Sequence, residues 1–312
     1  MKFELRTMQL NSMGYPSQLT ALILGVCLIY GCTPPSKDAH TITTGKMTLL
    51  VDETFEPIIE DQLAVFEHTY IHTEINLVSQ PEKIVIKHLL DDSAKVAVLS
   101  RQLTDDERRF FEAKQIIPRT KRFAIDGIAL VANKSYVDSV VDAQDVIRIL
   151  RGEPSSITAL VFDNPQSSTV RYMLEWSQVR QMPSEGVYSL QSNAEVIRYV
   201  HDNPGAVGVI GINWIAQPDP TLAKITDQLK VLSVKNLPGR PGDDAYYHPS
   251  QNNLALGVYA FSRDLYIINC QGVQGLGLGF SAFLAGERGQ RIILKSGLLP
   301  DSIPPREINI IR

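Results

Sequence analysis

Cysteine is scarce in this chain. Cys27, Cys32 and Cys270 are its three cysteines, too few and too scattered to act as a disulfide framework. Excess charge of either sign is also missing. Thirty Lys and Arg stand against 34 Asp and Glu, a formal charge of -4. That balance excludes a broad nucleic-acid-binding face, which would be basic, but it leaves room for a local site that holds a small anion. No apolar run approaches the ~20 residues needed to cross a bilayer. A Walker loop, a Gly-x-Ser-x-Gly elbow and a Cys–His pair in a suitable context are all lacking, so we do not expect an enzyme. Gly275-Leu-Gly-Leu-Gly279 has glycines without the strand–helix–strand frame or acidic partner of a nucleotide site, and reads as a loop entering a helix. Internal repeats and low-complexity tracts are absent. What remains is an ordinary globular composition, 44% apolar and 21% charged, in 312 residues. It excludes a disordered chain, a collagen-like chain and a polytopic membrane protein.

The N-terminus reads as a targeting segment. Lys2 and Arg6 supply a weakly basic start, and Leu19 to Tyr30 forms an apolar run of signal-peptide length. The run ends in Ile29-Tyr30-Gly31-Cys32, which resembles a bacterial lipobox, although Tyr30 is bulky for its place. We therefore expect residues 1–31 to be a lipoprotein signal, with Met8 or Met13 as alternative starts. Cys32 is then the lipidated residue, and 32–46 a polar, Pro-containing tether. The alternative is an ordinary secretory signal with an incidental cysteine. The first reading places the protein in the periplasm or at the cell surface, held to the membrane by lipid.

Beyond the tether, strand and helix patterns alternate. Met47 to Val51 suits a buried strand. Phe55, Ile58, Ile59, Leu63 and Phe66 then fall on one helical face, with Thr54 as its expected N-cap. Strands follow at 74–78, 95–100, 123–133, 158–162, 206–211, 229–234 and 254–260. Helices are expected from Ser79-Gln-Pro81, at 142–152, at 169–176 behind Ser167 or Ser168, at 194–200, 276–284 and 288–296. This alternation implies an α/β sheet, largely parallel. Long strands at 123–133 and 254–260 bracket a central block. They predict two lobes joined by two crossover strands: 47–124 with 255–312, and 125–254.

Three strand-to-helix turns carry hydroxyls: Thr54-Phe55, Ser79-Gln80 and Ser167-Ser168-Thr169. Helix N-termini present free N–H groups and a partial positive charge, so such turns suit an oxyanion. Singly, each is as well explained by ordinary capping.

These segments resemble a known family. Asp52-Glu-Thr-Phe-Glu-Pro57, Asp145-Val-Ile-Arg-Ile-Leu-Arg-Gly152 and Asp163-Asn-Pro-Gln-Ser-Ser-Thr169 are similar to segments of the PstS-like phosphate-binding proteins of ABC transporters. So are Val207-Gly-Val-Ile-Gly211, Tyr259-Ala-Phe-Ser-Arg-Asp-Leu-Tyr266 and, most closely in order and spacing, Phe283 to Pro300. The resemblance implies a type II, Venus-flytrap periplasmic binding protein. Such a protein is monomeric, closes on inorganic phosphate or a related oxyanion, and hands it to a permease without covalent chemistry, cofactor or metal. It implies Thr54, Phe55, Ser79, Ser167, Ser168 and Thr169 as ligand-binding positions, with Ser168 replacing a glycine. Two charged positions depart from the family pattern. Asp163 stands where the family has its arginine, and the family's acceptor aspartate falls near Ser100-Arg101. The expectation is an exchange in which Arg101 grips the anion and Asp163 accepts its proton, with Ser100 and Asp126 as further candidates. An ionised Asp has no donor, so it accepts from hydrogen phosphate and repels sulfate. Arg171 and Arg263 are further cations within reach. The rival expectation is a two-lobe surface lipoprotein with a structural, sensing or docking role. His68 and His72, beside Glu67 and Glu74, have the spacing of one helix face, but Thr69-Tyr70 is expected to end the helix and no third ligand is placed, so we expect no metal site.

Overall fold

The computed structural model describes residues 41–302. The expected signal, Cys32 and most of the tether lie outside the described residues, as do residues 303–312.

Strand β1 (Gly45–Asp52) leads through a single 3-10 turn (Glu53–Phe55) into α1 (Glu56–Thr69). Next come β2 (Thr73–Gln80), α2 (Glu82–Leu90), β3 (Val96–Leu99) and α3 (Asp105–Ala113). A long β4 (Arg119–Asn133) is followed by β5 (Val140–Asp142), α4 (Ala143–Leu150), β6 (Leu160–Phe162) and α5 (Ser168–Ser177). Then β7 (Val187–Ser189), α6 (Asn193–Asp202), β8 (Val207–Gly211), α7 (Asn213–Ala216) and α8 (Ala223–Thr226) precede β9 (Leu229–Val231) and β10 (Ser233–Lys235). The C-terminal part holds α9 (Gln251–Ala255), β11 (Ser262–Asn269), α10 (Leu276–Ala285), α11 (Glu287–Lys295) and β12 (Leu299–Pro300).

One sheet runs β2-β1-β3-β11-β4-β8-β6-β7. β4 joins its two halves by changing partners along its length. Up to Gly127 it pairs antiparallel with β11, and from Ile128 it pairs with β8. On either side of that junction the strands β1, β2 and β3, and β6, β7 and β8, are parallel. Their near-continuous apolar runs follow, because helices cover both faces. Leu49 and Val51 enter one core with Phe55, Phe66 and Phe280, while Leu50 points to the opposite core with Val85 and Leu89. The first of these cores continues across the junction to Val196, Ile210 and Trp214. A third packs Phe162, Met173 and Phe261 under α5. Two tyrosine hydroxyls pin the junction: Tyr259 donates to the Ile128 carbonyl at 2.6 Å and Tyr172 to that of Ser262 at 2.8 Å.

Two expectations are corrected. The segment 254–260 is not a strand. Ser250 caps the short helix α9, and Gly257, at φ +67°, turns the chain so that the crossover strand begins only at Ser262. The charged run after Arg101 carries a helix that none of the expected elements covers. Thr104 and Glu107 form a reciprocal capping box that starts α3. The expected Thr54 cap is also displaced: Asp52 accepts the Thr54 N–H, and the 3-10 turn intervenes before α1. Among the described residues no helix is long and apolar enough to cross a membrane.

Candidate functional site

The site lies where β4 changes partners, beyond the carboxyl ends of β1, β6 and β8, the place where open α/β sheets bind ligands. Most parts are delivered by strand ends. β1 ends in Asp52 and passes directly into Glu53, Thr54 and Phe55. β6 ends at Phe162 and is followed by Asp163 and then by Ser167, the N-cap of α5, whose hydroxyl accepts the Val170 N–H. β4 contributes Asp126, and the register sets Arg263 of β11 directly across from it.

Arg263 is the cation of this site. Its Nε donates to Asp126 Oδ2 at 2.9 Å and its Nη1 to Ser168 Oγ at 3.0 Å, with Thr169 Oγ1 at 3.5 Å. Its guanidinium lies 4.8 Å from the Phe55 ring centre. The ion pair is almost wholly buried, side chains being 1% and 0% exposed. Opposite it, Asp163 Oδ1 accepts from Ser167 Oγ at 2.5 Å and Oδ2 from Asn193 Nδ2 at 3.1 Å. Thr54 Oγ1 sits 3.5 Å from both Asp163 Oδ2 and Thr169 Oγ1. The Thr54 hydroxyl is therefore held only by long contacts, from Asp163 and Thr169.

Asp52 fills a role that the hydroxyl turns alone do not reveal. Its two oxygens accept the backbone N–H groups of Thr54, at 2.9 Å, and of Ser168, at 3.2 Å. The N-terminus of α5 and the 3-10 turn thus already hold an internal carboxylate. Asn213 and Trp214, at the start of α7, both donate to the Thr54 carbonyl, at 3.1 and 2.9 Å. Gly211 permits this convergence: a Cβ there would lie 2.5 Å from Asn213 Oδ1, 3.1 Å from Thr54 Cγ2 and 3.6 Å from Asp126 Oδ2.

Burial dominates the electrostatics. It pushes the Asp163 carboxyl up to about 7, against the lowering effect of the Ser167 hydrogen bond. Glu53, next to Asn193, is pushed up to about 8 by burial and then by the charge of Asp163. Asp52 is raised by burial and by Glu82, and Asp126 by burial against the opposing pull of Arg263.

Among the expected residues, Thr54, Phe55, Asp126, Asp163, Ser167, Ser168 and Thr169 are brought together, all nearly inaccessible to solvent. Ser79 lies near the end of β2 opposite Val51, its buried hydroxyl without a partner. Arg101 and Ser100 are placed elsewhere. The Arg101 guanidinium forks onto Glu107 at 2.7 and 2.8 Å, with its Nε 3.6 Å from Glu82. Ser100 Oγ donates to Glu82 Oε2 at 3.3 Å and accepts from Arg171 Nη2 at 2.9 Å. Arg171 also grips Glu82 with Nε at 2.5 Å and Nη2 at 3.1 Å, tying α5 to α2. Arg101 thus belongs to a rim cluster, and the cation beside Ser168 is Arg263. Sequence reading undervalued Arg263 because its claim depends on register, and missed Asp52, Glu53, Asn193 and Asn213. A carboxylate directly after a buried strand end was the available signal for Asp52.

The comparisons with known proteins agree with this architecture. The family described as the PBP superfamily domain matches residues 36–288. A curated relative, the phosphate-binding protein PstS of Borreliella burgdorferi, is 21% identical over 295 residues, covering 89% of this chain and 95% of that protein. Among solved structures, a putative phosphate ABC transporter substrate-binding protein with bound phosphate from Clostridium perfringens superposes with a TM-score of 0.66 at 17% identity, over 83% of this chain and all of that one. An ABC-type phosphate transport receptor from Vibrio cholerae gives 0.60 at 20% identity, over 82% of this chain and all of that one. The matched span takes in both halves of the sheet and every residue of the site, and on it the chain belongs to the PBP superfamily domain family, as a PstS-like protein with the two-lobe periplasmic binding protein fold.

Proposed function

We propose that this protein is an extracytoplasmic solute-binding protein that captures inorganic phosphate at the Arg263–Thr54–Ser168 site and delivers it to an ABC permease. The observation that carries the reading is a cluster of hydroxyls from both halves of the sheet beside one buried arginine, Ser168 and Thr169 on its guanidinium and Thr54 against Thr169. Thr54 comes from the β1 side, Ser168 and Thr169 from the β6 side, and Arg263 from the strand at the junction. The names of the relatives point the same way. In this reading 47–124 with 255–312 forms one lobe and 125–254 the other. They close about the junction in β4 and the segment leading into β11, and Arg171 on Glu82 secures the closed form. Arg263 grips one phosphate oxygen, the three hydroxyls donate to others, and Asp126 or Asp163 accepts a proton that phosphate carries. No bond is made or broken. Lipid attached at Cys32 would keep the protein, a monomer, at the membrane beside its permease.

A second reading is favoured by one specific observation. Asp52 already occupies two backbone N–H groups at the site, and carboxylates outnumber cations there. A two-lobe lipoprotein with a sensing or docking role and no phosphate transport would look the same. Calorimetry of the purified protein with phosphate, sulfate and molybdate separates the two. Heat of binding with phosphate at about 1 mM or below supports the first, and silence with all three anions sinks it.

A further inference from the structure

The edge of the sheet opposite the ligand site has a pattern of its own. It lies beyond the amino ends of β1, β2, β3 and β4 and beyond the carboxyl end of β11. From this edge β1 runs eight residues to Asp52, about 25 Å. Among the described residues, four large apolar side chains are more than two-thirds exposed, and three of them lie here: Ile71 (78%), Ile117 (79%) and Val273 (68%). Ile71 stands between α1 and β2, Ile117 before β4 and Val273 after β11. Gly272, at φ +72°, turns the chain beside Ile116 and so sets Val273 near the start of β4. Single exposed apolar residues are ordinary, but three of the four most exposed at one edge form a pattern. The chain enters the sheet at the same edge. Thr41 and Ile42 lead into β1, and the Ile42 carbonyl seats against Gly279 of α10, where a Cβ would collide with it. Cys32 lies nine residues before Thr41, a reach of at most about 30 Å.

We propose that this edge is a bilayer-facing surface, on which Ile71, Ile117 and Val273 dip into the headgroup region of the membrane that holds Cys32. The proposal rests on the reading of Cys32 as the lipidated residue. It adds to that reading a footing and an orientation. A lipid on a chain of this reach would by itself leave the domain free to turn. The three tips are spread over the five strands from β2 to β4, about 20 Å, and together they hold one orientation. In that orientation the ligand site is kept clear of the bilayer.

The charges at this edge make the contact apolar rather than electrostatic. Lys46 pairs with Glu74 at 2.5 Å, and Lys95 lies 3.8 Å from Asp92. The exposed Asp91 and Glu112 offset Lys114 and Arg119. Acids and bases therefore balance, so an anionic headgroup gains little over a neutral one. Apolar side chains bury area in the interface whatever the headgroup, and a few of them beside a lipid anchor supply the second signal that stable attachment needs.

Tryptophan fluorescence tests this on the protein purified from expressing cells and reconstituted in phosphatidylcholine vesicles, with a doxyl-labelled lipid as quencher. Ile117→Trp and Val273→Trp report on the edge. Val137→Trp is the control, since Val137 is 93% exposed past the other end of the same strand, whose 15 residues span about 50 Å. The signal of Trp176 and Trp214 is subtracted with the unaltered protein. Quenching in the two edge variants should exceed that in the control at least about threefold. The excess should persist from about 0.05 M to about 0.5 M salt. Equal quenching in all three variants, or none at the edge, overturns the proposal, and so does edge quenching that high salt removes. Burial of the edge that grows with protein concentration in the absence of vesicles assigns it to a second copy of the chain, and overturns the proposal too. Mass spectrometry at Cys32 reads the anchor separately, and a bare thiol there sinks the lipid reading. Coupling that thiol to a maleimide-headgroup lipid then tests the edge on its own. Cys270 does not compete, because it is buried and its thiol is pushed up to about 12.

Discussion

Two arginine clusters meet at α5, one through Arg171 and one through Ser168, and they treat their carboxylates in opposite ways. On the rim, Arg101 is forked onto Glu107 and Arg171 onto Glu82, so each guanidinium has a bidentate carboxylate and remains about one-fifth exposed. At the junction, Arg263 meets Asp126 through one nitrogen, turns a second to Ser168, and leaves Nη2 unpartnered in almost complete burial. The rim pairs are complete and hold one piece of the protein to another. The junction pair is incomplete, and burial makes that incompleteness costly unless a ligand relieves it. Residue type says little about which arginine serves the ligand; the unmet hydrogen bond says more.

The comparison breaks most sharply at Arg263. Arg263→Ala should abolish phosphate binding and lower stability by about 3–5 kcal/mol, because Asp126 is left buried and alone. Urea unfolding and calorimetry measure the two effects. Pairing Arg263→Met with Asp126→Leu should restore most of the stability and none of the binding, which separates the site from the scaffold. Next in size is Arg171→Ala. Glu82 is 3% exposed and would lose its fork, costing about 1–3 kcal/mol in urea unfolding. Phosphate would dissociate faster, since the tie between α2 and α5 is gone.

A smaller effect is expected from pH. The folded protein holds protons on Asp163 and Glu53 up to about 7 and about 8, against ordinary values of 3.8 and 4.5. Between those limits it binds more protons than the unfolded chain. This contribution to stability is therefore full below about pH 4 and is lost as the pH rises through 7 to 8. The melting temperature of the ligand-free protein should fall by a few degrees from about pH 5 to about pH 8.5, and Glu53→Gln should flatten the slope. Smallest is Arg101→Ala. Partly exposed rim pairs of this kind contribute about 0–1 kcal/mol, and phosphate affinity should stay within about threefold. A large loss of affinity there would return Arg101 to the site and erase the distinction between rim and junction.

Much of the fold was legible in the sequence because it follows from local patterns. The apolar run at 47–51, the helical face from Ile58 to Phe66 and the Ser167 cap of α5 report their own neighbours, and they stand where expected. The failures have one origin. Leu254 to Ala260 is apolar enough for a strand, but Ser250 caps a helix and Gly257 breaks the path, so the strand shifts to Ser262. That shift matters for the site, since it carries Arg263 into the crossover strand and opposite Asp126. Arg101, expected to grip the anion, is instead engaged by Glu107, which α3 and its capping box bring within reach of its guanidinium.

The sequence by itself determined the α/β class, most of the order of strands and helices, and the hydroxyls at the ends of β1 and β6, because burial period and capping act over a few residues. Only the tertiary structure decided which charges share the site. The pairing of Arg263 with Asp126, 137 positions apart, depends on the register of β11 against β4. The meeting of Asp52 with the Ser168 N–H depends on how the two halves of the sheet approach each other. Electrostatics in a buried site is set by distances of a few ångströms and by the exclusion of water, and both are properties of packing rather than of chain order.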